Sequence, residues 1–209
     1  MLEAQPATSL ADRIQADIFY GRLAPGMWLK QIELERRYAC TRLALRQALD
    51  AVSSKGMLRH EPNRGYHVEF FDEDRVIATA EARAVLETAS AEMVLDHVSP
   101  AYLRNLERLA ERHTRMLDEG TELEHEQANR EFHLALHAPC RNSVIADLIF
   151  DLRKRVPLAI TRATNTPMHL RARSAEHFEM IEALRTRDVG RLRDIFWRHI
   201  VPPRSNPRA

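Results

Sequence analysis

Apolar positions in the first seventy residues outline a series of short elements. Leu10, Ile14 and Ile18 recur every four residues behind Ser9-x-x-Asp12, the pattern of a capped amphipathic helix, which Gly21 ends and Pro25-Gly26 turns away from. A second, short helix runs from about Gln31 to Tyr38. After a tight turn through Ala39 and Cys40 a third begins, with Thr41 suited to cap its first N–H groups. In that helix Leu45, Ala48, Leu49 and Val52 fall on one face, leaving Arg46, Gln47 and Asp50 on the other and Arg42 in the first turn. Met57 to His60 and Gly65 to Glu69 then bracket Glu61-Pro62-Asn63-Arg64. This reads as a hairpin, with Gly65 supplying a backbone angle other residues resist.

After Phe71 the pattern is helical throughout. Breaks at Ser99-Pro100, Gly120, Pro139, Thr166-Pro167 and Arg187-Asp188 divide it into about six segments. The chain is therefore predicted to be mainly α: an N-terminal winged helix-turn-helix with a small β-hairpin wing over residues 1–70, a linker over 71–74, and a C-terminal all-α bundle of about six helices over 75–209. A short Pro-rich tail follows Val201.

Composition narrows the function classes. At 209 residues there is room for two modest cores. No run approaches the roughly 18 to 20 apolar residues of a membrane span, and no basic segment leads into an apolar run at the N-terminus, so a cytoplasmic protein is expected. Cys40 and Cys140 lie far apart without metal-pair spacing and read as free thiols. The net charge of +1 is uninformative. Between Arg36 and Arg64, however, seven basic residues face two acidic ones.

Three helices with a tight turn before the third, then a hairpin, form the arrangement that lays the third helix into the major groove. Arg42 and Arg46 have the planar donors to take a guanine edge or a phosphate, and the sequence leaves both roles open. Asn63 and Arg64 at the wing tip would meet the backbone or minor groove. Order and spacing here resemble the winged-helix domain of the GntR family of bacterial regulators. The matching stretches are Ile18 through Gly26, Leu29, Glu33-Leu34, Thr41 through Leu49, and Pro62 through Val68, with Ala44 where the family usually has proline and Gln47 where it usually has glutamate. The resemblance implies that Arg42 and Arg46 contact DNA, with Thr41, Gln47, Arg64 and Gly65 beside them.

Ten histidines are many for this length. Asn129 and His133 are one helical turn apart and His137 is one turn further, but spacing alone favours ordinary histidines with hydrogen bonds. The region from about Val76 to Ile200, however, resembles the FCD effector domain of the FadR subfamily, possibly its shorter VanR-like branch. The resemblance rests on Arg83 through Glu87, Asn129 through His133, Asn142, Glu176-His177 with Ile181, and His199. It implies a divalent metal, zinc or nickel, held by His133, His177 and His199, with Asn129 as a weak fourth ligand where the family usually has aspartate. It also implies a small carboxylate effector at or near the metal, with Arg83 and Asn142, then Arg130 and Arg173, as contacts.

Taken together, the sequence describes a ligand-responsive homodimeric regulator, a repressor by expectation, on a palindromic operator. Effector binding in the helical domain would rearrange its contact with the wing domain near Phe70 to Asp74 and release DNA. Two alternatives stand beside it: a regulator that senses the metal itself, and a metal-dependent hydrolase on a helical bundle. Against the hydrolase, no H-E-x-x-H, no nucleophile elbow and no general-base carboxylate stands out, so no enzyme is expected.

Overall fold

The computed structural model describes residues 9–70, 73–156, 158 and 166–201, and these divide into two compact units, the first running through Glu73 and also taking in 154–156 and 158, the second comprising 74–153 and 166–201. The Pro-rich tail and residues 71 and 72 of the expected linker lie outside the described residues.

In the first unit, α1 (Leu10–Phe19) starts at Ser9, whose hydroxyl accepts from the Asp12 amide at 3.1 Å and donates to its carboxylate. The helices α2 (Gln31–Tyr38) and α3 (Arg42–Ser54) are joined through Ala39, which takes a left-handed conformation at φ 51°. Ile14, Ile18, Leu45, Leu49, Val52 and Met57 have no exposed surface and form the centre of the core. Around it Asp17 ties the elements together: it accepts from Tyr38 Oη at 2.7 Å and pairs with Arg22 at 2.9 Å and Arg37 at 2.7 Å. Burial, helped by Asp17, pushes the Tyr38 hydroxyl far above its usual range, so it stays a donor.

The hairpin consists of β2 (Leu58–Glu61) and β3 (Gly65–Val68), antiparallel in the register Leu58 opposite Val68. A further strand, β1 (Trp28–Leu29), pairs antiparallel with β3 and completes a three-stranded sheet in the order β1-β3-β2. Two residues are too few to show an alternating pattern, so sequence reading passed over β1. Gly65 at φ 94° fits the turn.

The second unit contains six helices among the described residues: α4 (Glu73–Leu95), α5 (Pro100–Glu119), α6 (Glu122–His137), α7 (Ser143–Arg155), α8 (Pro167–Arg185) and α9 (Val189–Ile200). Helix α4 begins at Glu73, so 73 and 74, expected in the linker, are its first turn. Boundary residues do what their chemistry suggests. Ser99 and Thr166 cap helices that carry proline in the first turn, Thr121 and Glu124 form a reciprocal capping box, and Asp188 caps α9. Helix α5 packs on α6 and α8, and α8 on α9. Their shared core includes Leu106, Ala110, Phe132, Leu136, Met180, Leu184, Leu192 and Phe196. Among the described residues no helix is long and apolar enough to cross a membrane. Cys40 is half-buried and Cys140 buried, and both are free thiols.

Candidate functional site

On α3 the buried face of Leu45, Ala48, Leu49 and Val52 fixes which side chains point outward. Arg42, Arg46 and Gln47 are exposed, and Leu43 beside them is 68% exposed. Thr41 is the N-cap, its hydroxyl accepting from the Ala44 amide at 3.3 Å. The helix start, with its free N–H groups and positive dipole end, therefore presents a surface suited to phosphate between the two arginines. Thr41→Ala should cost the first unit about 1 kcal/mol of stability by loss of the cap, read as a lower denaturant midpoint at unchanged slope.

The wing is tied to this helix. Tyr66 on β3 donates its hydroxyl to Asp50 of α3, and burial together with Asp50 pushes its ionisation up to about 12. At the tip Arg64 lies 4.4 Å over the Trp28 ring and pairs with Glu61 at 3.3 Å, while the His67 ring lies tilted against Trp28 at 4.9 Å. Trp28 is thus a shelf that holds the Arg64 guanidinium by cation–π attraction, a contact sequence reading missed together with β1.

In the helical unit, His133 of α6, His177 of α8 and His199 of α9 converge, each offering a ring nitrogen within 4.8 Å of the others. All three are buried. The Nε2 atoms of His133 and His199 are 3.3 Å apart. Two nitrogens bound tetrahedrally to one zinc ion at about 2.0–2.1 Å would stand about 3.4 Å apart, so the spacing fits a shared ion. The Glu176 carboxylate lies 2.8 Å from His199 Nδ1 and accepts a hydrogen bond from it, which turns the Nε2 lone pair toward the cluster. Burial, above all, pulls His133 and His177 well below the usual imidazole range and lowers His199, which favours the neutral rings that a metal ion requires. Both ring nitrogens of His177 and Nδ1 of His133 are buried without a hydrogen-bond partner. Such orphaned nitrogens are costly unless something else satisfies them. The residues present fit a divalent ion.

A second grouping, Glu87, His133 and His137, also has close donor atoms. Its carboxylate is already engaged, however: His137 donates to it at 3.2 Å, and Arg83 and Arg153 stand 3.3 and 3.9 Å away. Two guanidinium groups so near would repel a cation. This is a buried ion cluster rather than a second metal centre.

The other expected contacts separate. Arg83 is largely buried, and burial with the repulsion of Arg153 pulls its guanidinium down to about 10. Arg173 is half-buried, and burial lowers it too. Asn129, one turn before His133, donates to Glu126 at 3.5 Å. Asn142 and Arg130 are exposed, and the Asn142 side-chain oxygen Oδ1 accepts from the Ile145 amide at the start of α7. Asn142 is therefore a helix cap, which its place just before Ser143 could have signalled. Four residues that sequence reading missed lie near the triad. The His113 ring lies tilted 4.6 Å from that of His177 and 4.5 Å from that of His125, Arg153 supplies charge, and Glu176 orients His199.

Comparison with known proteins agrees with this architecture. Residues 6–68 match the model of bacterial regulatory proteins of the gntR family, and residues 78–201 match the FCD domain. The regulator BphR of Paraburkholderia xenovorans is 29% identical over 196 residues, covering 90% of this chain and 79% of that protein. The transcriptional repressor GlaR of Escherichia coli is 24% identical over 203 residues, covering 91% and 90%. Among solved structures, E. coli McbR/YncC superposes with a TM-score of 0.78 at 20% identity, covering 91% of each chain. A regulator from Rhodococcus sp. RHA1 gives 0.68 at 18% identity, covering 89% of each. GntR regulators bind DNA operators and typically act as dimers, and FCD domains often bind metal. These families are regulators and not enzymes. With a gntR winged helix ahead of an FCD domain that spans more than half its length, the chain belongs to the FCD-containing GntR transcriptional regulators.

Proposed function

We propose that this regulator is a homodimeric repressor of a palindromic operator, with zinc or nickel on His133, His177 and His199 and a small carboxylate as effector. The observation that carries the sensor half is the buried triad with its unpartnered ring nitrogens. Neutral imidazoles suit these metals, and Asn129, a neutral amide one turn before His133, is a weaker fourth ligand that leaves room for an effector oxygen. When bound, the ion supplies an electrophilic position for a carboxylate. Glu176 fixes the His199 ring, and Phe132, stacked 4.0 Å on His177, fixes that ring and keeps water from one side. The repressor assignment follows the likeness to GlaR, and the exposed Thr41, Arg42, Arg46, Gln47 and Arg64, with Gly65 turning the wing, form the operator-binding surface.

A single winged domain covers one half-site, and a two-fold dimer reads two, which is why the operator should be palindromic. The effector acts by binding one arrangement of the dimer better than the other. Elemental analysis of protein purified without a histidine tag should find about one equivalent of metal per chain, and His177→Ala less than about a tenth of that. Absence of metal from the unaltered protein, with no rebinding on addition, refutes the metal assignment. A carboxylate that raises the melting temperature without changing operator affinity refutes the effector mechanism.

A further inference from the structure

We propose that Leu43 reads the 5-methyl group of a thymine in the major groove, which makes it a specificity-determining residue for the operator. The proposal rests on the operator-binding surface described above and adds to it the side chain that points most directly away from the core. At about 100° per residue, Leu43 falls about 170° from the centre of the buried face formed by Leu45, Ala48, Leu49 and Val52. Arg42 and Arg46 fall at about 70° and about 110°, on one flank. Leu43 is 68% exposed, the highest value of any large apolar side chain among the described residues of the first unit.

Its place along the helix agrees with its direction. Thr41 is the N-cap, so Arg42 and Leu43 are the first two helical residues. In a helix-turn-helix it is the N-terminal residues of the recognition helix that meet base edges. Asp50, which points the same way about two turns later, is held by the Tyr66 hydroxyl of the wing. A single exposed leucine is ordinary on a protein surface, but this one lies within about one turn of both arginines, where the surface is cationic. The groove floor is made of hydrogen-bond donors and acceptors, and its apolar exception is the C5-methyl of thymine. Leucine offers nothing to the others. Over cytosine N4 or guanine O6 it would displace water without replacing the hydrogen bond, so the contact that favours thymine also penalises G·C in either orientation. Over thymine the methyl group leaves water for an apolar partner. Leu43 therefore adds an A·T preference to a half-site in which the arginines take guanine or phosphate.

The full-length protein selects its own duplex from a random-sequence pool. Each thymine of the selected site is then replaced singly by deoxyuridine, which pairs with adenine in the same way and lacks only the methyl group. At one thymine per half-site the loss should weaken binding by about fourfold, and by about tenfold or more when both half-sites are changed, read by fluorescence anisotropy at matched salt. With that thymine exchanged for cytosine, 5-methylcytosine should bind more tightly than cytosine itself. Leu43→Ala, an exposed substitution by a better helix former, should keep its thermal midpoint, bind the selected duplex more weakly and show no response to the methyl group. Ile32→Ala, which removes a 66% exposed side chain from α2, should respond to the methyl group as the unaltered protein does. A change of less than about twofold for every deoxyuridine replacement overturns the assignment, as does a methyl dependence that persists in Leu43→Ala. If Arg46→Ala binds the selected duplex as tightly as the unaltered protein, α3 is not in the groove and the operator-binding surface itself fails. If Arg46→Ala loses binding while every methyl group is silent, the Leu43 assignment alone falls.

Discussion

Arg46→Ala is expected to abolish specific operator binding while the protein stays folded. The side chain is exposed on a helix whose opposite face carries the core, so its removal leaves Leu45 and Leu49 packed as before. A bidentate arginine contact to a guanine is worth about 1–3 kcal/mol, and a dimer loses two of them. Affinity should fall by about 30-fold to 10⁴-fold at matched salt, measured by fluorescence anisotropy with the thermal midpoint unchanged. If Arg46 instead holds a phosphate, the loss extends equally to unrelated sequences and the salt dependence becomes shallower. Unchanged operator affinity would remove α3 from the interface. Arg64 on the Trp28 shelf belongs to the wing and should show the phosphate behaviour.

Glu87→Ala should be the most damaging change in the helical unit. Glu87 has no exposed surface, accepts from His137 and is the shared ion-pair partner of Arg83 and Arg153. Its loss strands two buried guanidinium groups, a defect that costs about 3–5 kcal/mol and should lower the melting temperature by about 10–20 °C. The same cluster sets an acid dependence. Burial alone would raise the Glu87 carboxyl, but His137, Arg83 and Arg153 outweigh it and hold the group at about 2, below its ordinary 4.5. A carboxyl depressed in the folded state contributes stability that is complete above 4.5 and disappears as pH falls toward 2. Thermal melts at neutral pH and at about pH 3, inside that window, should therefore separate in the unaltered protein and converge in Glu87→Gln. Equal acid sensitivity in both would assign that loss to other groups.

The elements were legible because their periods and punctuation agree. Ser9, Thr41, Thr121 and Asp188 cap the helices that their chemistry predicts. The triad histidines were visible by resemblance, yet their burial was also written in the apolar stripes. Leu192, Ile195, Phe196, His199 and Ile200 share one face of α9, and Leu106, Leu109, Ala110 and His113 do so on α5. A histidine at such a position is a core residue, so His113 could have been found and was not. Glu87 and His137 are different: they meet across fifty positions, and no local pattern carries that information. The same holds for Arg153, whose place one turn after buried Ile149 shows its face but not its neighbours.

The chain contains two tryptophans, Trp28 beneath the wing arginine and Trp197 two residues before His199. One indole lies in the part of the molecule that touches DNA and the other next to a proposed metal ligand. With either replaced by phenylalanine, the emission of the remaining indole reports on one end of the regulator alone, so arrival of ligand and response of the wing become separate optical signals from an unlabelled protein.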